Sequence, residues 1–455
     1  MLYGYDSDEI IPCCHTTDNN DDNQVKLATA RFFLTVLLSF FIIFGCKNDK
    51  ETKEESGLPV KWSVQLPAAV YYGSPALSHD EKTLYLGTST PLSPLPGNHF
   101  FVALNTTTGQ EIWRLPLESN EFRSAPVVHT DHSLFFTVET RDPSNGNITG
   151  DELWHVSQQG EVLWKYEINS SKLRIDVGLS VPAIGADGTV YVGGDRLYAI
   201  HQDGSPKWTY ASDWPEAIRN AVSIGNDGTI YFAYHNVPLT ALNPEDGTIK
   251  WTLPLGVNDH CFSSPSIGFD GTIYVATQPG IIYAVSPNGQ MLWSFNIQTV
   301  GFTGSIRCSP SIDHDGTIYF GITNGQPVSA LFAISAEGLI KWIFEPPNLP
   351  DNVPSNHFDI YSSPAIGADG ILYFGQEFGR LYAINAYDGT MASINNVSTA
   401  IIWSSPVIDK NGVLYINDMS GRVYALQTSG KGLKNSAQWP KYRNNNQNTG
   451  CVNLP

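Results

Sequence analysis

Residues 263–293 read Ser-Ser-Pro-Ser-Ile-Gly-Phe-Asp-Gly-Thr-Ile-Tyr-Val-Ala-Thr-Gln-Pro-Gly-Ile-Ile-Tyr-Ala-Val-Ser-Pro-Asn-Gly-Gln-Met-Leu-Trp. Four short apolar stretches separated by glycine turns are packed into this segment, and its parts recur along the chain. A Ser-x-Pro step opens most copies, and in six copies a turn at Asp-Gly or Asn-Gly follows. A β-branched and aromatic strand comes next, then Tyr-Ala-Ile/Leu/Val, then Gly-x-x-x-Trp. A unit of roughly 40–50 residues that repeats in sequence repeats in space, because one copy cannot bury its own apolar face.

The register marks are Pro75, Pro126, Pro182, Pro265, Pro310, Pro364 and Pro406, with Val222 in the same register between Pro182 and Pro265. That makes eight copies. Asp187-Gly188, Asp227-Gly228, Asp270-Gly271, Asp315-Gly316, Asp369-Gly370 and Asn411-Gly412 are read as two-residue type I′ hairpins. Four antiparallel strands per unit, without the 3.6-residue apolar period of helical solenoids, predict an all-β fold: an eight-bladed β-propeller. The last unit lacks an outer strand after Gly430, while Val60-Lys61-Trp62-Ser63-Val64 stands alone before the first. The amino-terminal strand is therefore expected to complete the last blade and remove an exposed edge. Trp62, Trp113, Trp164, Trp208, Trp251, Trp293 and Trp342 are read as structural wedges between blades, because an indole supplies large area and one directed N–H. Ser393 takes that place in the seventh unit.

Ala103-Leu104-Asn105-Thr106-Thr107-Thr108-Gly109-Gln110-Glu111-Ile112-Trp113 resembles the tryptophan-docking motif of quinoprotein-type propellers, and Ala241-Leu242-Asn243 with Gly247 and Trp251 is a second match. The resemblance covers roughly residues 60–450. It implies either of two roles: a dehydrogenase holding pyrroloquinoline quinone and calcium in the central funnel, or a cofactor-free scaffold such as the BamB-type lipoproteins of outer-membrane protein assembly. The carboxyl-terminal stretch from Trp439 to Gly450 resembles a segment common in these proteins and is expected to wrap the rim near the closing blade.

The formal net charge of −18 argues against binding a nucleic-acid backbone, which needs a basic face. Of six cysteines, Cys261, Cys308 and Cys451 lie within the repeats. They are read as unpaired core thiols, with a Cys261–Cys308 bridge as the alternative.

Upstream, residues 32–44 form a short apolar run preceded by Lys26 and Arg31 and followed by Gly45-Cys46 and a charged stretch. Thirteen residues span about 20 Å at 1.5 Å each, short of the ~30 Å hydrocarbon core. The run reads as a secretory signal, the alternative being an uncleaved tilted anchor. The Gly-Cys junction resembles a lipoprotein lipobox, which implies lipidation at Cys46, passage across the inner membrane and residence in the cell envelope, in the periplasm, at the outer membrane or on the cell surface. The expected organisation is a leader at 1–25, the signal at 26–45, a tether at 46–58 and the propeller at 59–455.

A quinone site needs calcium held by carboxylates and amides. Asp313-His314-Asp315-Gly316 superficially suggests a calcium loop, but its sister units carry plain turns there. The histidines fall at unrelated places in different units. No catalytic, cofactor or metal residue is assigned. The long segments 88–99, 139–151 and 345–358 depart from the template and suit a binding face. Trp214, Phe262, Phe302 and His357 precede inner strands and are candidates for the funnel or its rim. The expected function is a non-catalytic, monomeric scaffold lipoprotein presenting its face or funnel to a protein or peptide. A quinone- and calcium-dependent dehydrogenase or a glycan-binding propeller is the alternative.

Overall fold

The computed structural model describes residues 57–71, 73–89, 99–117, 121–122, 124–142, 144, 148–168, 180–211, 218, 220–234, 237–256, 260–347 and 359–452. The expected leader, signal and most of the tether, with Cys46, lie outside them. Among the described residues no helix is long and apolar enough to cross a membrane.

Eight antiparallel sheets of four strands follow one another, one per repeat, with one extra short strand in the second. Blade 5 serves as the pattern: Ser266–Ile267, Ile273–Ala276, Ile281–Val285 and Met291–Asn296, from the axis outward. The inner three strands are buried on both faces, which is why their sequences are almost continuously apolar. The outer strand alternates.

The first turn of each blade differs from the type I′ reading. In blade 5 only Gly271 has a positive φ, +81°. The Gly268 amide bonds the Thr272 carbonyl at 2.9 Å, and the Gly271 amide bonds the Gly268 carbonyl at 3.0 Å. That is a three-residue loop ending in a left-handed glycine. The aspartate explains the preference: the Asp270 carboxylate accepts from the Thr272 backbone N–H at 2.9 Å and its hydroxyl at 2.8 Å, holding the turn from its side chain.

Each indole crosses to the next blade. Trp113 donates its Nε1–H to the Gln158 carbonyl at 2.9 Å, Trp164 to Gln202 at 3.0 Å and Trp208 to Pro244 at 2.9 Å. Trp251 reaches Pro287 at 2.8 Å, Trp293 reaches Ala336 at 2.8 Å, and Trp342 reaches Ala386 at 3.2 Å. Under each six-membered ring lies the glycine of the next unit's Gly-x-x-x-Trp. A Cβ on Gly247 would stand 2.6 Å from Cε3 of Trp208. The alanine of Tyr-Ala-Ile has its own reason. It pairs directly with the tryptophan of its blade, as Ala284 does with Trp293, leaving room for the indole.

The last blade is composite. Val60–Gln65 pairs antiparallel with Arg422–Gln427, with Trp62 opposite Ala425. The Trp62 indole packs 5.8 Å from Tyr415 and donates to the Thr106 carbonyl of blade 1 at 2.9 Å. One short strand thus joins blade 8 by its backbone and blade 1 by its side chain.

At the remaining seam, between blades 7 and 8, Ser393 pairs with Ala383 in the tryptophan's register. Here Leu58 packs into the core shared by the two blades. Asn395 clamps its backbone, accepting from the Leu58 N–H at 2.6 Å and donating to its carbonyl at 2.8 Å. The residue just ahead of the closing strand occupies the one seam that has no indole wedge.

The carboxyl-terminal stretch does more than wrap a rim. Backbone bonds run from Leu77, Val128, Ile184, Ile224, Ile312 and Ile366 to carbonyls between Trp439 and Gly450, and Asn446 bonds Ile408. These belong to innermost strands on all sides of the ring, so the segment crosses the axis and covers it on the face of the Asp-Gly turns. Its donors complement the repeats. Ser223, Ser266 and Ser311 cap the Pro265, Pro310 and Pro364 carbonyls of the following blades. Blades 1, 2, 3, 7 and 8 carry alanine or valine at that position, so the carbonyls of Pro126, Pro182, Val222, Pro406 and Pro75 receive no such serine. Asn448 reaches Pro75 and Pro126, and Arg443 reaches Pro182 and Val222, four of these five. Buried carbonyls left unpaired would each cost about 1–3 kcal/mol. Lys441 is fully buried, which pushes its ammonium well below the usual lysine range, and it donates to the Tyr442 and Asn445 carbonyls and to Asn448.

The indole seats give a direct prediction. Gly247→Ala meets both a left-handed backbone and Trp208, whereas Gly370→Ala meets only the left-handed backbone, with nothing within 4 Å of its new Cβ. Denaturant unfolding should find Gly370→Ala destabilised by about 1–2 kcal/mol and Gly247→Ala by about 2–4 kcal/mol. Equal losses would show that the indole yields freely.

Candidate functional site

With one end of the axis covered, the other end is the face where each chain segment enters its innermost strand. Strand entry there is fixed by the Ser-x-Pro step. Ser264, Ser309, Ser363 and Ser405 donate their backbone N–H groups in turn to the hydroxyls of Ser309, Ser363, Ser405 and Ser74, at 2.9–3.1 Å. Two residues before the proline, Ser263 and Ser404 bond the neighbouring strand of their own blade. Cys308 does the same in blade 6, its thiol facing the Gly321 amide at 3.2 Å. Burial pushes that thiol up to about 12. Cys261, Cys308 and Cys451 are all buried free thiols, so the Cys261–Cys308 bridge does not form.

This run of serines presents the residue three before the proline. In blades 5 to 8 these are Phe262, Arg307, Tyr361 and Trp403, all half-buried, and Tyr71 of blade 1 joins them. The Arg307 guanidinium lies 5.0 Å from the Phe262 ring centroid and 5.8 Å from that of Tyr361. Tyr361 packs on Trp403 at 4.7 Å, and Trp403 meets Tyr71 edge-on at 4.9 Å. Five side chains from five blades form one continuous arc of ring faces, interrupted by a single guanidinium.

Two buried carboxyls, Asp359 and Glu377, belong to the same region. Asp359 accepts from the Asn324 N–H at 2.5 Å and the Ser329 hydroxyl at 2.9 Å. Asn324 comes from Thr323–Gln326, which pairs with Thr303–Ser305 in a small ribbon outside the blades. The Glu377 N–H donates to the Asp359 carbonyl at 3.2 Å. Burial, reinforced by the nearby Asp359 charge, raises Glu377 to about 7, outweighing the Trp403 indole. Burial also raises Asp359, against the pull of its hydrogen bonds and of Arg307.

Of the candidates read from the sequence, Phe262 joins the arc. Phe302 does not: it is buried and packs edge-on against Phe332 at 5.2 Å, because the short ribbon that follows it draws the ring into the core. Trp214 and His357 lie outside the described residues. Arg307, Tyr361 and Trp403 were not singled out in the sequence, although they stand in the same register as Phe262. The segment at 139–151 extends the central hairpin of blade 2, where Arg141 and Glu139 form a buried ion pair at 2.6 Å.

The described carboxylates suit a calcium-held quinone poorly. Asp313, His314 and Asp315 can bring three ligand atoms within 4.8 Å of one another. They sit, however, in a turn on the covered face, where Lys434 holds Asp313 at 2.8 Å and Lys341 holds Asp315 at 3.0 Å. Those ammonium groups compete with a cation. At the mouth, carboxyls shifted toward protonation favour a proton over a metal.

The Glu377 shift has a stability consequence. A carboxyl raised in the folded state contributes stability below its unfolded value, near 4.3, and loses it as pH rises through about 7. Glu377→Gln should therefore gain thermal stability relative to the parent at pH 8 but not at pH 4.5. A gain independent of pH would contradict the assignment.

BamB from Moraxella catarrhalis matches at 16% identity and a TM-score of 0.58, covering 82% of this chain and all of that one. The C-terminal WD40 domain of Sif2 matches at 12% and 0.60, covering 82% and 99%. The quinohemoprotein alcohol dehydrogenase ADHIIG from Pseudomonas putida HK5 matches at 12% and 0.59, covering 82% and 77%. At these identities the likeness is one of fold. No curated protein matches by sequence. The family model described as outer membrane protein assembly factor BamB matches residues 59–180 and 147–392, and the chain belongs to that family.

Proposed function

We propose that this protein is a non-catalytic binding scaffold of the cell envelope, anchored through a lipid on Cys46, that receives a protein or peptide partner at the funnel mouth and acts in outer-membrane protein assembly. The observation that carries the reading is the arc of Phe262, Arg307, Tyr361, Trp403 and Tyr71. Aromatic residues and arginine supply most of the energy at protein interfaces, because rigid ring faces and a planar cation bury much area at small entropic cost. Here they are offered by a run of hydrogen-bonded serines across blades 5 to 8 and blade 1. Membership of the BamB family supports the envelope setting and a protein partner. The reading includes no cofactor.

The dehydrogenase reading draws on the structural likeness to a quinohemoprotein. It requires the purified protein to bind pyrroloquinoline quinone in the presence of calcium, which is visible as a bound chromophore. The scaffold reading predicts no such uptake.

Two measurements test the proposal. Intact-mass analysis of the membrane-extracted protein should find Cys46 acylated as the new amino terminus; an unmodified Cys46 would refute the anchor. Replacing Tyr361 and Trp403 together by alanine should weaken co-purification of outer-membrane assembly proteins by about tenfold or more with the melting temperature little changed. Retention at the parental level would remove the mouth as the docking site.

A further inference from the structure

The covered face carries its own cavity. It measures about 490 Å³ and lies between the axial carboxyl-terminal segment and the first turns of blades 1, 5 and 8. Lys410, Lys431 and Lys434 line it, together with Glu81, Gln438 and Phe269.

The repeat makes the lining informative. The residue before the aspartate or asparagine of the first turn is His79, Thr130, Ala186, Asn226, Phe269, His314, Ala368 and Lys410 in blades 1 to 8. The turn itself is held by the aspartate and glycine, so this side chain is free to vary and points out of the fold. Blade 5 places a phenylalanine there, 56% exposed. Its backbone N–H is fixed by the Gln438 side-chain oxygen at 3.0 Å, which sets the ring at the cavity wall. Blade 8 places Lys410 at the equivalent position, and the carboxyl-terminal segment adds Lys431 and Lys434.

Charge is equally distinctive. Elsewhere on this face a lysine of the outer strand is matched to the turn aspartate of its own blade. Lys207 pairs with Asp187 at 3.0 Å, Lys250 with Asp227 at 3.2 Å and Lys341 with Asp315 at 3.0 Å. Lys410 and Lys431 have no ion pair among the described residues, in a chain of net charge −18, although the Lys410 ammonium donates to the Asp80 carbonyl at 3.5 Å. Glu81, the acid of the cavity, takes the Lys410 backbone N–H at 2.8 Å, and burial raises its carboxyl toward the neutral form. The cavity is therefore lined by two lysines without an ion pair, by Lys434, which Asp313 holds at 2.8 Å, and by one exposed aromatic ring.

We propose that this cavity binds a phosphorylated sugar, its phosphate held by Lys410 and Lys431 and its ring lying on Phe269. The volume falls within the ~300–1,000 Å³ of small-molecule sites. Two ammonium groups without a carboxylate partner suit a dianion, and lysine acts on phosphate as a point charge without demanding a fixed orientation. The site is on the opposite face from the mouth and does not depend on the role given to it.

The test is calorimetric titration of the full-length protein in detergent with glucose 6-phosphate, glucose and inorganic phosphate. The ester should bind at least about tenfold more tightly than either fragment. The double variant Lys410→Glu, Lys431→Glu should lose about tenfold or more, and Phe269→Ala should bring the ester down to the level of inorganic phosphate. Circular dichroism melting should confirm that both variants remain folded, as expected for exposed side chains. No detectable binding of ester or phosphate, or unchanged affinity in both variants, would overturn the proposal. Glucose binding as tightly as the ester would overturn the role of the lysines, and phosphate binding as tightly as the ester would overturn that of Phe269.

Discussion

Everything in this ring rests on an indole seated on a glycine. The Trp208 ring lies where a Cβ of Gly247 would be, its N–H bonded across the seam to Pro244, and the same seat recurs at six other seams. Burying 150–250 Å² of aromatic surface and satisfying one directed donor at each seam holds neighbouring sheets at a fixed angle. A seam that repeats at a constant angle closes on itself. The order of strands, the covering of one end of the axis and the arc at the other end all follow from that closure.

Closure also explains the two chain ends. Trp62 seals blade 8 to blade 1, and Leu58 under Asn395 fills the seam between blades 7 and 8. The segment that leads from the proposed membrane anchor is thus part of the seal, and a pull on the tether would be borne by Asn395 and by the whole strand at 60–65. At the opposite end of the chain, Arg443 and Asn448 supply donors to four of the five innermost carbonyls that the repeats leave without a serine. The two termini finish what eight imperfect copies leave open.

The architecture was legible because each repeat states it again: the proline step, the Asp-Gly turn, the tyrosine-alanine strand and the tryptophan each have one structural task. The turn type is ambiguous in the sequence because Asp-Gly suits both a two-residue turn and a three-residue loop; the backbone bond from the Gly268 N–H to Thr272 and the positive φ of Gly271 alone distinguish them. The mouth was harder to read. Phe262 is a candidate because it precedes an inner strand, while Arg307, Tyr361 and Trp403 share its register but no residue type, and a site built from one position of several blades leaves no linear motif. Phe302 misled because a short ribbon, unmarked in the sequence, turns it inward. The axial segment was recognisable by its tryptophan and asparagines, but its span across the ring depended on which blades lack a serine.

Hydrogen exchange on the Trp62→Ala variant tests the closure most directly. If Trp62 seals the ring, amide protection should fall together in the third strand of blade 8, Arg422–Gln427, and in the blade 1 turn at 105–110, while blades 3 to 5 keep theirs. Loss confined to residues 60–65, or no loss at all, would contradict the account.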